Sequence, residues 1–192
     1  MSGRNTYTLH KPVRKKFPRN PYRVSNIYIR VINLADLSSL SKYNDNYNDL
    51  LNFIDIFSSY VWSVLLKDKT GNWITSSLKS SFQNGKPITI QLDKGTEFVN
   101  WTMQRYLKRQ FVNFCTSHIP DIKGAVIVRF KKSLKWRILN YFTKSNTYFY
   151  LYVIEKLLTC YSTSVHSVIG VPPSKVNPSN IYCLAKDELN VG

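Results

Sequence analysis

The order of its segments predicts an α/β fold for this chain, with a mixed five-stranded sheet and helices on both faces. Three observations carry that expectation. Runs of apolar, β-branched and aromatic residues of strand length recur between polar turn clusters. After the third run they alternate with segments whose apolar residues lie three and four apart. The resulting order, β-β-β-α-β-α-β-α-α, joins a three-strand meander to βαβ units, which places the fourth strand parallel to the first and beside it.

Along the chain, residues 1–29 come first, as an extended basic arm. Residues 1–30 hold eight basic residues and no acid, and the prolines at 12, 18 and 21 break any regular helix through "HKPVRKKFPRNPYR". "RVINLADL" (30–37) is the first strand, and "SSLSKYNDNYN" a polar turn cluster. "DLLNFIDIFS" and "SYVWSVLLK" form a hairpin around Ser58 and Ser59. In residues 69–82 the apolar positions 73, 74, 78 and 82 have helical spacing. "NGKP" ends that helix and "ITIQLD" is the fourth strand. Residues 98–110 read as an amphipathic helix, "FVNFCT" as a short fifth strand and "SHIPDIKG" as a mobile loop. A helix over 122–143 ends at "TKSN", which opens another at about 146–162. The core domain therefore spans 30–166, and a proline-containing tail spans 167–192.

With 192 residues and 43% hydrophobic composition the chain is long enough for one domain with a core. The net charge of +16 points to a polyanion, nucleic acid before an anionic membrane surface; the alternative is a solvated basic surface. The three cysteines lie far apart with no CxxC pair, which excludes a zinc knuckle or a disulfide framework and fits a reducing compartment, nuclear or cytoplasmic. The N-terminus has no apolar signal core, and runs such as "YFYLYVI" are too short to span a bilayer. The expected partner is DNA, with no membrane and no small-molecule substrate.

"INLADLSSLSKYNDNYNDLLNFIDIFSSYVW", "IQLDKGTEFVN", "AVIVRFKKSLKWRILNYFT" and "VHSVIGVPPSKVN" resemble, in order, the blocks of the retroviral-type integrase catalytic core. The nearest resemblance is to integrases of Maverick/Polinton-like elements or retrotransposons, and it runs from about residue 9 to residue 178. It implies a ribonuclease H-like fold and phosphoryl transfer by two Mg²⁺ ions about 3.5–4 Å apart, held by carboxylates. The family draws one Asp from the first strand, one from the end of the fourth, and a Glu from the long helix that follows. Asp93 matches the second acid, ahead of Gly95, Glu97 and Phe98. In the same register "RVINL" puts Asn33 at the first acid position, and "IVRFK" (127–131) puts Val128 at the Glu position. The resemblance is thus to a degenerate copy, in which Asp93 remains a metal ligand and Mg²⁺ binds weakly or not at all. Of the other acids, Asp36 should point to the opposite strand face from Asn33, Asp55 reads as structural, Glu97 as a helix cap and Asp121 as part of the loop, so none is expected to complete the site; Asp36 is the alternative first position. The zinc-binding N-terminal domain and C-terminal DNA-binding domain of complete integrases are not expected within these residues.

Between 122 and 145 there are seven basic residues and no acid. Lys132 and Lys135 lie four and seven places beyond Val128 and so share its helix face. With Arg129 and Lys131, and with Lys11, Arg14, Lys15, Lys16 and Arg19 of the arm, they are the candidate DNA contacts; a solvated stripe is the alternative. Trp136, Tyr141, Phe142 and the tyrosines of 148–152 are read as packing rather than base-stacking residues. Two function classes remain open: an integrase-core enzyme or its decayed copy, and a non-enzymatic DNA-binding or oligomerisation module. A homodimer would use the apolar faces of 99–112 and 146–162.

Overall fold

The computed structural model describes residues 28–83, 85–92, 100–116, 121–166 and 169–176. The basic arm, Asp93, Glu97 and most of the tail lie outside the described residues.

β1 (Ile29–Asp36), β2 (Asp49–Asp55) and β3 (Val61–Leu66) form the meander. A helix, α1 (Gly71–Phe82), leads to β4 (Thr89–Leu92), and a second, α2 (Trp101–Arg109), leads to β5 (Asn113–Thr116). α3 (Asp121–Ser145) and α4 (Ile154–Thr163) follow. The sheet order is β3-β2-β1-β4-β5. β1 is antiparallel to β2 and parallel to β4, in the register Ile32↔Leu92, so the first and fourth strands are the expected parallel neighbours.

Alternation along the strands divides the core in two. Val31, Leu50, Ile54 and Val61 pack with Val126, Ile127, Phe130, Leu134, Ile138 and Phe142 of α3 and with Ile154 and Tyr161 of α4. On the other face Ile32, Leu51, Phe53, Ile90 and Leu92 pack with Ile74 and Leu78 of α1 and Met103 and Leu107 of α2. The helices thus cover both faces. On the second face the buried Arg30 donates from Nη1 to Ser81 O (3.0 Å) near the end of α1 and lies over the Trp62 ring at 4.3 Å. Cations are favoured at the negative end of a helix dipole.

Two helix boundaries differ from the sequence expectation. α3 runs from Asp121 to Ser145, one residue earlier and two later than the expected 122–143, so the end of "SHIPDIKG" is helical. The helix expected from 146 begins only at Ile154. Asn146 has a left-handed backbone (φ 48), which ends α3. Beyond it, the amides of 149 and 150 bond to side chains instead of to helical carbonyls: Phe149 N donates to Thr147 Oγ1 (3.1 Å) and Tyr150 N to Asn44 Oδ1 (2.7 Å). Asn44 Nδ2 also donates to Tyr148 O (3.0 Å), clamping this connector to the turn after β1. The polar cluster after β1 is a 3-10 helix, Ser38–Tyr43, that leads into that turn. No described helix is long and apolar enough to cross a membrane.

Candidate functional site

The parallel pair β1/β4 sets the centre of the site. Ile32 and Leu92 are register partners; Asn33 is the next residue on β1, and Asp93 follows Leu92 directly in sequence. Asp93 lies outside the described residues. Asn33 is wholly buried. It shares strand parity with Val31 and Ala35, so it belongs to the face covered by α3 and α4.

Asn33 stands opposite Asn52 on β2, and Asn52 opposite Ser63 on β3. Ser63 Oγ donates to Asn52 Oδ1 (2.7 Å), and Asn52 Nδ2 donates to Leu50 O (3.1 Å). Gln91, opposite Val31 on β4, is buried as well. A row of neutral polar side chains therefore crosses an otherwise apolar face. Groups this deep are stable when hydrogen-bonded, whereas an uncompensated carboxylate would be costly.

The other acids are placed elsewhere. Asp36 is exposed, has the opposite strand parity to Asn33, and accepts from Ser38 N (2.8 Å); the bonds from Ser38 hold its carboxyl below the usual range. Asp55 stands opposite Arg30 near the start of β1 and ties the β2–β3 turn, accepting from Ser58 N and Ser58 Oγ (both 2.7 Å). Asp121 is the first residue of α3. Among the described residues, no group of three or more His, Cys, Asp or Glu side chains is placed to hold a metal ion.

α3 packs over β1 and turns a stripe outward. Val128 (50% exposed), Lys132 and Lys135 are all exposed, at helical spacings of four and three, while Ile127, Phe130, Leu134 and Ile138 face the core. Arg129 and Lys131 sit half-buried on the flanks. Arg137 is drawn toward the end of α4, where its Nη2 donates to Ser164 Oγ (3.2 Å). The structure thus brings Lys132 and Lys135 together with the Val128 position and sets Arg129 and Lys131 to either side. Among the aromatics, Phe142 and Tyr150 are buried, as expected for packing residues; Tyr148 and Tyr152 are 56% and 83% exposed.

His166, which the sequence reading assigned no role, is buried against Tyr161 with ring centroids 6.5 Å apart. Neither of its ring nitrogens has a hydrogen-bond partner among the described residues. Burial, reinforced by the Arg129 charge, pulls its pKa down to about 4, and burial pushes Tyr161 up to about 12 against the pull of Arg129 and Arg137. The only signal in the sequence was its place in the "VHSVIG" block.

No family model matches the chain. A transposon-derived protein of Caenorhabditis elegans is 32% identical over 142 residues, covering 73% of this chain. The chain spans about half (49%) of the length of that relative. Among solved structures, the catalytic core of HTLV-2 integrase, in a trimeric complex with magnesium, aligns with a TM-score of 0.64 and 18% identity over 79% of this chain and 95% of that one. The core of BIV integrase aligns at 0.63 and 14% identity, over 83% and 96%. The simian T-cell lymphotropic virus intasome, in complex with a PP2A regulatory subunit, contains a chain that aligns at 0.67 and 19% identity, over 84% and 59%.

Proposed function

With the fold of a retroviral integrase catalytic core and a transposon-derived relative as its premises, we propose that this chain is a DNA-binding integrase-core protein without two-metal catalysis. The observation that carries this reading is Asn33, a neutral and wholly buried amide at the first acid position. Val128, at the third, has no donor atom. A donor set of Asn33, Asp93 and Val128 does not fit a pair of divalent cations: one remaining carboxylate, Asp93, cannot compensate the repulsion between two ions about 3.5–4 Å apart.

DNA would lie along the α3 stripe, on Lys132 and Lys135 with Arg129 and Lys131 beside them. The arm residues Lys11, Arg14, Lys15, Lys16 and Arg19 would add contacts to the same backbone. The binding is to phosphates and so is nearly independent of sequence.

The test has two arms. Duplex DNA titrated into the chain at increasing salt is expected to give a steep log–log loss of affinity. Each phosphate contact contributes about −0.9 to that slope, so removing two lysines in Lys132→Ala/Lys135→Ala should make it shallower by roughly 1.8. A flat salt response, or an unchanged slope in the double variant, refutes the DNA surface. Calorimetry with Mn²⁺ on the native chain, Asn33→Asp, Val128→Glu and the double variant tests the metal reading. Only the double variant should bind Mn²⁺ well, because residues that act as a unit are not additive. Tight binding by the native chain would mean that another acid completes the site.

A further inference from the structure

On the opposite layer of the sheet from α3, an open groove of about 850 Å³ lies between α2 and β5, the edge strand. Its walls include Trp101, Arg105 and Lys108 from α2, Phe111 just beyond the end of α2, and Phe114 from β5. Three of these are aromatic residues left in solvent: Trp101 is 70% exposed, Phe111 90% and Phe114 39%.

Phe111 is the most telling. The end of α2 is closed by a bond from Val112 N to Leu107 O (3.1 Å), with Phe111 in the left-handed conformation (φ 54). Glycine or asparagine normally takes that place, because a side chain there is strained. A bulky ring in that conformation is an outlier, and such strain gathers at functional sites. Phe111 thus combines a strained, helix-closing backbone with a ring left 90% in solvent.

The charge around these rings has one sign. Residues 100–116 contain Arg105, Lys108 and Arg109 and no acid, and none of the three forms an ion pair among the described residues. Lys86 adds a fourth cation beside the end of α2, where its Nζ donates to Gln110 O (3.0 Å), on the residue before Phe111. The Arg105 guanidinium lies over the Trp101 ring at 4.8 Å, which steadies the ring. An apolar partner would leave these cations without a counter-charge, and a duplex keeps its base faces stacked inside. Unpaired nucleotides offer both base faces and phosphates.

We propose that the α2–β5 groove binds a single-stranded segment of nucleic acid, with bases stacked on Phe111 and Trp101 and phosphates held by Arg105 and Lys108. This site is separate from the duplex surface on α3, so each can fail without the other.

The experiment is fluorescence anisotropy on the full chain at low salt, with labelled oligo-dT and a labelled blunt duplex as probes. Phe111→Gly is the key variant, since glycine suits the backbone and should leave the thermal midpoint unchanged or higher. It is expected to weaken oligo-dT binding about tenfold, the scale of one lost stacking contact, with duplex affinity unchanged. Trp101→Ala should do the same, and Lys132→Ala/Lys135→Ala should weaken the duplex alone. Unchanged oligo-dT affinity in a folded Phe111→Gly overturns the proposal, as does an equal loss for both probes. A self-association that Phe111→Gly abolishes, with no oligo-dT binding by the native chain, would assign the groove to a second copy instead.

Discussion

Replacing Asn44 by alanine should cost about 3–4 kcal/mol of stability. The side chain is wholly buried and makes three hydrogen bonds. Nδ2 donates to Leu40 O (2.9 Å) and Tyr148 O (3.0 Å), and Oδ1 accepts from Tyr150 N (2.7 Å). At about 1 kcal/mol net for each, the three bonds account for roughly 3 kcal/mol, and a buried Tyr150 amide left without its acceptor adds to that. The total is a large fraction of the 5–15 kcal/mol typical of a domain, or roughly a third. Urea unfolding followed by circular dichroism and tryptophan fluorescence measures it. Amide exchange at Tyr150 should accelerate, because its protecting acceptor is gone. Asn44→Asp sharpens the argument. It keeps the acceptor for Tyr150 N but replaces two donated bonds with a carboxylate facing two carbonyls. That carboxyl is expected to have a raised pKa in the folded state, so the variant should recover stability as the pH falls, when one bond can again be donated. A loss below 1 kcal/mol for Asn44→Ala, with no change in exchange at Tyr150, would refute the view that this residue shapes the α3–α4 connector.

Four further outcomes can be measured by unfolding. Because the folded pKa of His166 is about 4 against about 6.5 unfolded, the unfolded chain takes up the proton first; stability should fall from pH 6.5 toward 4 by up to roughly 3 kcal/mol, and His166→Leu should remove that component from a pH series of urea titrations. Asn100 caps α2 by accepting from Met103 N (2.8 Å), so Asn100→Ala should cost about 1 kcal/mol. A Cβ on Gly71 would lie 2.8 Å from Asn100 Cγ and displace that cap, so a thermal-unfolding cycle of Gly71→Ala with Asn100→Ala should be clearly non-additive. Phe130 is fully buried with its ring edge-on to Tyr161 at 5.2 Å, and Phe130→Ala should cost about 3–5 kcal/mol by urea unfolding.

The residues proposed to bind nucleic acid and those that form the core lie in different parts of this chain. The α3 stripe and the α2–β5 groove lie on opposite layers, and neither contributes its exposed residues to the core. Variants at Lys132, Lys135, Trp101 and Phe111 can therefore test binding without unfolding the chain. Asn33 is different: it lies in the buried polar row, so Asn33→Asp places a carboxylate where water does not reach, and its effect on stability must be measured beside its effect on metal binding.

The strand order was legible in the sequence because it rests on local pattern. Alternation in "RVINLADL", the hairpin around Ser58 and Ser59, and the helical spacing after Lys69 each depend on residues close together in the chain. Rules of connection then make β1 and β4 parallel neighbours. The proposed reading of the metal site, with an Asp at 93, an Asn at 33 and a valine at 128 in the acid positions of the family the chain resembles, likewise rests on local pattern. What the sequence by itself did not hold was anything set by partners far along the chain or by loss of solvent. Asn44 holds Tyr150 from 106 residues away, and the helical pattern from 146 yields to that clamp until Ile154. The polar row under α3, the buried His166 and the cationic groove beside β5 likewise exist only once separate segments pack together. Hydrogen-bond geometry and desolvation act through space, and only the tertiary structure decides which groups they reach.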